Sequence, residues 1–210
     1  MKLYDYYRST ACYRVRIALN VKNIDYEKMN VHLVNNGGEQ HSLEYRKINP
    51  QGLVPSLEID GHVLSQSLAI IDYLNEAYPT PPLLPQNARD RAMIRSLALI
   101  VACDMHPLNN LRVLNQLKHQ FKPSDTQITE WYHHWLKVGF DAFETTLQSL
   151  PRQEPFCFGS TVSLADLCLI PQVYNAHRFH FAMDDYPLIN EINTHCLTLE
   201  AFQKASPETS

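Results

Sequence analysis

Two kinds of apolar spacing divide the chain. In the first eighty residues, short apolar or β-branched runs alternate with stretches of helical period. Residues 2–6 read as a short strand, rich in tyrosine and without Gly or Pro. Val15, Ala18 and Leu19 then keep helical spacing, which predicts a helix over about 11–22 with those side chains on one side. Residues 25–34 read as a second strand, Asn35-Asn36-Gly37-Gly38 as a polar turn, and 39–47 as a short irregular helix. Asp60-Gly61 separates apolar runs at 56–59 and 62–64; this is a hairpin signal, because a type I′ turn needs positive φ. A helix is expected over 66–78, with Leu68, Ile71, Leu74 and Tyr78 as its stripe. The order β-α-β-α-β-β-α describes an α/β unit.

Four prolines between Pro79 and Pro85 end that pattern, since they fit neither a helix interior nor a sheet ladder. Residues 80–87 read as a linker between one domain over 1–79 and another over 88–210. No strand is expected beyond it. Residues 89–120 are mostly helical, with Pro107 forcing a kink or break after His106. Trp131, Trp135, Val138 and Ala142 repeat at helical spacing within a helix over 125–150. A loop rich in Pro and Gly over 151–159 precedes helices at about 164–179 and 186–204. Ser163 followed by Asp166 has the form of a capping box and reads as a folding signal.

Composition narrows the function classes. Hydrophobic residues are 45% of the chain and charged residues 19%, an ordinary globular balance. With 18 basic and 22 acidic residues and no basic block, nucleic acid is not an expected partner. No stretch is apolar enough for a membrane span, and the start runs straight into a strand without a signal-peptide core, so no membrane partner is expected. The five cysteines are scattered without a C-x-x-C pair, which points to a reducing, cytoplasmic setting. Among ten histidines, His177 and His180 are merely i, i+3, and no metal site is expected.

Candidate chemistry lies where strands turn into helices. Ser9 and Thr10 occupy such a junction, where unpaired N–H groups and the helix dipole favour a thiolate or oxyanion; the plain alternative is an N-cap. Val54-Pro55 is expected to be cis, because a trans proline is badly placed at the start of an inner strand. The backbone of Val54 could then pair with an extended peptide. Gln66-Ser67 is a second strand-to-helix junction, suited to a carboxylate. A hydroxyl for a thiolate, a backbone ladder for a peptide and a pocket for a carboxylate together suit glutathione.

On these residues the chain resembles the cytosolic glutathione transferases. Val54-Pro55 and Gln66-Ser67 in the first eighty residues resemble their thioredoxin-like domain, and the helical part with Ser163-x-x-Asp166 their all-α C-terminal domain. The run Arg8-Ser9-Thr10-Ala11-Cys12-Tyr13-Arg14-Val15-Arg16-Ile17-Ala18-Leu19 is similar to the zeta class, as are Asn49-Pro50, His106-Pro107-Leu108-Asn109-Asn110-Leu111-Arg112 and Tyr186-Pro187. The class signature Ser-Ser-Cys falls on Ser9-Thr10-Ala11, so its cysteine is absent here; Cys12 lies one position late, about 100° round the helix, and reads as a helix-face residue.

The resemblance implies glutathione as cofactor and a cis–trans isomerase acting on maleylacetoacetate in tyrosine and phenylalanine breakdown. Maleylpyruvate isomerisation and general transferase activity are the alternatives. It implies Ser9 or Thr10 as the catalytic hydroxyl. It places glutathione contacts at Ser9, Thr10, Ala11, Gln40, Gln51, Val54, Gln66, Ser67, His106, Asn110, Leu111 and Arg112. Arg8 and Arg178 fall at its carboxylate-binding positions, and a homodimer is implied. A thiol-disulfide enzyme using Cys12 and a non-enzymatic scaffold are the competing classes; hydroxyls in the reactive turn argue against the first, and intact Arg8, Ser9 and Arg178 against the second.

Overall fold

The first helix starts where a serine caps it. In the computed structural model, which describes residues 1–150, 152 and 155–209, Ser9 takes extended backbone angles and its Oγ accepts from the Cys12 N–H at 3.2 Å. This satisfies a donor that the helix itself leaves unpaired. Helix α1 (Thr10–Val21) follows β1 (Lys2–Asp5). Then come β2 (Glu27–Asn30), two short 3₁₀ turns (Asn35–Gly37 and Glu39–His41), α2 (Leu43–Ile48), β3 (Ser56–Ile59), β4 (His62–Ser65) and α3 (Ser67–Ala77). The expected order holds, although the second strand is much shorter than 25–34. Just beyond β2, the Val31 N–H still donates to the Asp5 carbonyl at 2.8 Å.

The sheet runs β2-β1-β3-β4: β1 pairs with β2 in parallel and with β3 antiparallel, and β3 with β4 antiparallel. Asp60 and Gly61 take φ of 50° and 76°, the two positive values that the hairpin turn requires. Alternation in β1 buries Leu3 and Asp5 on one side, with Leu3 opposite Leu57.

Helix α1 differs from the expected amphipathic helix, since every residue from Thr10 to Leu19 is buried. The reason is tertiary: α3 packs against it, and so does α9 (Glu200–Ala205). On α3 the buried set is Ser67, Ile70, Ile71 and Leu74, whereas Leu68 is half-buried and Tyr78 is 38% exposed.

The chain forms two compact units, Met1–Leu83 with Leu197–Ser210, and Leu84–Cys196. In sequence, the first unit gives way to the second between Leu83 and Leu84. The grouping of all of 88–210 in one domain does not hold, because residues from Leu197 onward belong with the first unit. There Asn20 Nδ2 donates to the Ala201 carbonyl at 3.0 Å. The start of the linker is tied down as well. Lys22 Nζ, on a largely buried side chain, donates to the carbonyls of Tyr78 (2.7 Å) and Pro81 (2.9 Å).

The second unit is helical: α4 (Ala88–Leu99), a π-helical turn (Ile100–Met105), α5 (Leu111–Phe121), α6 (Asp125–Gln148), α7 (Leu164–Arg178) and α8 (Pro187–Cys196). The interruption expected at Pro107 is present, whereas the break between α8 and α9 splits the stretch 186–204 that is expected as one helix. On α6 the buried stripe is Tyr132, Leu136, Phe140, Phe143 and Leu147, not the expected one; Val138 is 49% exposed. Trp131 and Trp135 instead meet edge to face at the margin of that stripe. The expected loop 151–159 includes 151, 153 and 154, which lie outside the described residues.

Asp166 does more than cap α7. Its Oδ2 accepts from the Ser163 N–H (2.8 Å) and hydroxyl (2.7 Å), and its Oδ1 from the Cys157 N–H (2.8 Å), so one buried carboxylate ties the preceding loop to the helix start. Replacing it strands buried donors. Asp166→Ala is expected to lower the stability of the chain by about 2–4 kcal/mol in urea unfolding, against less than about 1 kcal/mol for a surface acid such as Asp125→Ala.

Candidate active site

The turn between β1 and α1 closes through the Ser9 N–H, which donates to the Tyr6 carbonyl at 2.9 Å. The Ser9 Oγ spends a lone pair on the Cys12 N–H, so its own proton is left to donate outward. Ser9 is half-buried, whereas Thr10 is only 3% exposed. Of the two candidate hydroxyls, Ser9 is therefore the accessible one. No acidic residue lies in the first turn of α1 to offset its positive end. Ala11 is buried in that turn, and Arg8 is exposed with its guanidinium 5.0 Å from the Tyr7 ring centroid.

Val54-Pro55 is cis, as expected. The residues on either side of Val54 are held by buried donors. The Leu53 carbonyl accepts from the Tyr45 hydroxyl (2.7 Å) and from Asn49 Nδ2 (2.8 Å), and Ser56 Oγ lies 3.1 Å from each of the same two groups. Burial pushes the Tyr45 hydroxyl up to about 12, so it remains a donor through neutral pH. Val54 itself is half-buried, and among the described residues nothing pairs with its N–H or C=O. That is a short edge on which extended backbone can pair.

Gln66 caps α3 with φ 71°, a left-handed conformation that is costly for a residue with a side chain. Its Nε2 donates to Gln51 Oε1 at 2.9 Å, joining two exposed glutamines that sequence reading had singled out separately. Ser67 follows in the first turn of α3, buried, and accepts from Arg14 Nη1 at 3.4 Å. A buried cation thus stands behind this helix start. Gln40 is buried too; its Nε2 donates to the Leu33 carbonyl at 3.3 Å, while its Oε1 has no partner among the described residues. Gly52 has φ 62°, and a Cβ there would come within 2.9 Å of the Gln40 carbonyl, so glycine is required for this approach.

The second unit carries its own set. His106 is half-buried just after the π-helical turn. Asn110 caps α5, its Oδ1 accepting from the Arg112 N–H at 3.1 Å, and Leu111 and Arg112 are exposed. Arg178 ends α7, exposed, with Nη1 donating to Asn175 Oδ1 at 3.2 Å and its guanidinium 5.0 Å from the Phe179 ring centroid. Asn175 Nδ2 in turn donates to the buried Tyr132 hydroxyl.

Residues 3–82 match the glutathione S-transferase N-terminal domain family. Over 98% of this chain and 95% of the relative, the sequence is 47% identical to a probable maleylacetoacetate isomerase of Vibrio cholerae. The fold is similar to the crystal structure of a glutathione S-transferase from Legionella pneumophila, with 63% identity over 99% of this chain and all of that one, and a TM-score of 0.88. It is also similar to the holo structure of maleylpyruvate isomerase, a bacterial zeta-class glutathione S-transferase, with 44% identity over 100% and 98% of the two chains and a TM-score of 0.97. The chain belongs to the zeta class of glutathione transferases.

Within this zeta-class chain, sequence reading missed Arg14, Tyr45 and Asn49. Arg14 had a signal: two arginines, Arg14 and Arg16, interrupt an otherwise apolar helical run and are both 1% exposed. Asn49 had one in the Asn49-Pro50 pair, although not for its role as a donor; Tyr45 had none, because the two donors converge on Leu53 only in the folded loop. Among the described residues no group of three or more His, Cys, Asp or Glu is placed to hold a metal ion, and no helix is long and apolar enough to cross a membrane.

Cys12 is fully buried, and burial followed by the nearby Asp5 pushes its thiol well above the ordinary range. It is unsuited to nucleophilic chemistry. Of the five cysteines, Cys103 is exposed and the other four are buried. Thiol titration of the native protein with Ellman's reagent should therefore show one fast-reacting group, lost in Cys103→Ser, with the rest reacting only on unfolding. Fast labelling of Cys12 in the native state would show that the first turn of α1 opens.

Proposed function

We propose that this zeta-class chain is a glutathione-dependent cis–trans isomerase whose substrate is maleylacetoacetate. The observation that carries the reading is the accessible Ser9 hydroxyl at the uncompensated positive end of α1, in the same unit as the unpaired backbone of Val54. The relatives named as maleylacetoacetate and maleylpyruvate isomerases support it. The residues present fit glutathione: Val54 offers backbone to a peptide, Gln66 and Ser67 offer a helix start backed by Arg14 to a carboxylate, and the orphaned Gln40 Oε1 offers an acceptor. Thr10, Ala11, Gln51 and, in the second unit, His106, Asn110, Leu111 and Arg112 are proposed as further contacts.

Glutathione, when bound, would supply a thiolate nucleophile whose reversible addition could relieve the double-bond character that blocks rotation. Ser9 donates its hydroxyl proton to that sulfur, and the end of α1 adds a field of the same sign. Both favour the ionised thiol over its ordinary value of about 8.5. Arg8 and Arg178 are proposed for the substrate's carboxylates, since a guanidinium fork matches a carboxylate better than an ammonium does. Phe179 and Asn175 limit where the Arg178 fork can point. Maleylpyruvate also presents a carboxylate beside a cis enone and is the alternative substrate; general transferase activity is the remaining one. A homodimer in the cytoplasm is proposed with this reading.

Turnover should require glutathione without consuming it, so the total thiol concentration should stay constant while maleylacetoacetate disappears. Stoichiometric thiol loss would instead mark a transferase. Arg178→Ala should lower kcat/KM for the diacid roughly tenfold to a hundredfold, the worth of a charge-assisted bond, while glutathione affinity stays unchanged. Lysine at this position should restore part of the loss. Ser9→Ala should raise the pH at which the bound thiol ionises by about one to two units, seen in the thiolate ultraviolet absorbance. The sign follows because the wild-type hydroxyl stabilises the charged form.

A further inference from the structure

Arg16 lies inside α1, 1% exposed, and each of its three nitrogens reaches a different part of the first unit. Nη1 donates to Asp5 Oδ1 at 2.7 Å, at the end of β1. Nε donates to the Ala205 carbonyl at 2.9 Å, in the last residue of α9. Nη2 donates to the Tyr7 carbonyl at 3.0 Å, two residues before Ser9. One turn further along α1, Asn20 holds the Ala201 carbonyl, so two points fix α9 on α1. The second oxygen of Asp5 has Lys28 Nζ 3.4 Å away.

A buried ion pair needed for folding alone has no use for the Tyr7 bond. Lys28 already stands beside Asp5, and a smaller cation on α1 could complete the charge balance. What the planar guanidinium adds is geometry. Its donors diverge at fixed angles, so satisfying Asp5 and Ala205 together sets where the third donor points, and that direction holds the Tyr7 carbonyl. The carbonyl end of α9, buried at Ala205, is also a favourable partner for a cation.

We propose that Arg16 is a positioning residue for the Tyr7–Ser9 turn, and that the segment Leu197–Ser210 acts through it as an anchor of the thiolate site. The inference rests on the reading that Ser9 stabilises the thiolate of glutathione. It makes the last described helix part of the reactive turn's support, though no residue of that helix is placed in contact with glutathione.

Two variants loosen the clamp in different ways. Arg16→Lys keeps the charge for Asp5 but cannot span three acceptors. A chain ending at Lys204 removes the Ala205 carbonyl and leaves Arg16 and Asp5 intact, so it tests the anchor even if the first variant folds poorly. Both are compared with wild type and Ser9→Ala, at a temperature where circular dichroism shows each to be folded. The readouts are the bound-thiol ionisation and the glutathione KM and kcat across pH. Each clamp variant should raise the bound-thiol ionisation by about one unit, cutting the thiolate fraction near neutrality about tenfold. The glutathione KM measured above that ionisation should change less than about twofold, because the backbone and carboxylate contacts lie on other loops. If Ser9→Ala shifts the ionisation and both clamp variants keep the wild-type profile, the clamp is overturned and Arg16 serves folding alone. A wild-type profile in Ser9→Ala would overturn the assignment of Ser9 and, with it, this inference.

Discussion

Burying α1 on all sides is the constraint on which the first unit depends. A helix buried from Thr10 to Leu19 can meet a ligand only at an end, and here that end is the amino-terminal one, capped by Ser9. The burial has a chemical cost, because Arg14 and Arg16 lie within it, and buried guanidinium groups have to be satisfied. Each arginine reaches a separate feature. Arg14 reaches Ser67 at the start of α3, and Arg16 reaches Asp5, Tyr7 and Ala205. Groups that would otherwise destabilise the helix therefore tie its surroundings to the reactive turn.

The remaining features of the first unit are held by the same means, with rigid neighbours around an exposed element. Tyr45 and Asn49 fix the residues flanking Val54 and leave Val54 unpaired. Gln66 is kept in a left-handed conformation between β4 and α3, with its amide on Gln51. Such an unfavourable local state persists only where the surroundings over-determine it, and it falls at the junction where a carboxylate is proposed to sit. The hydroxyl turn, the unpaired edge and the helix start all belong to segments between regular elements, while the elements themselves supply the support.

In the second unit, the functional positions depend on helix ends and breaks. Pro107 ends the π-helical turn and frees the chain to restart at Asn110, which caps α5. Arg178 is the last residue of α7, where Asn175, one turn back, can hold it. Asp166 at the other end of α7 anchors the preceding loop. The helix is thus defined at both termini by side chains rather than by packing alone.

The residues alone determined the order of elements, because strand runs, helical spacing and proline breaks are local properties that need no partner. The Asp60-Gly61 turn, the cis proline, the Ser163-Asp166 box and the strand-to-helix junctions at Ser9 and Gln66-Ser67 were legible for the same reason. Which helix face is buried was not. The stripe on α6 lies elsewhere than at Trp131, Trp135, Val138 and Ala142, and α1 has no exposed face, because burial depends on what the rest of the chain lays against a helix. The choice of Ser9 over Thr10 also required the tertiary structure, since one cap hydroxyl stays accessible and its neighbour is covered. The return of Leu197–Ser210 to the first unit had no local signal at all. Residues 186–204 keep a helical pattern on both sides of the break, and the last helix docks on α1 through packing and through Arg16 and Asn20, 189 and 181 residues before their partners.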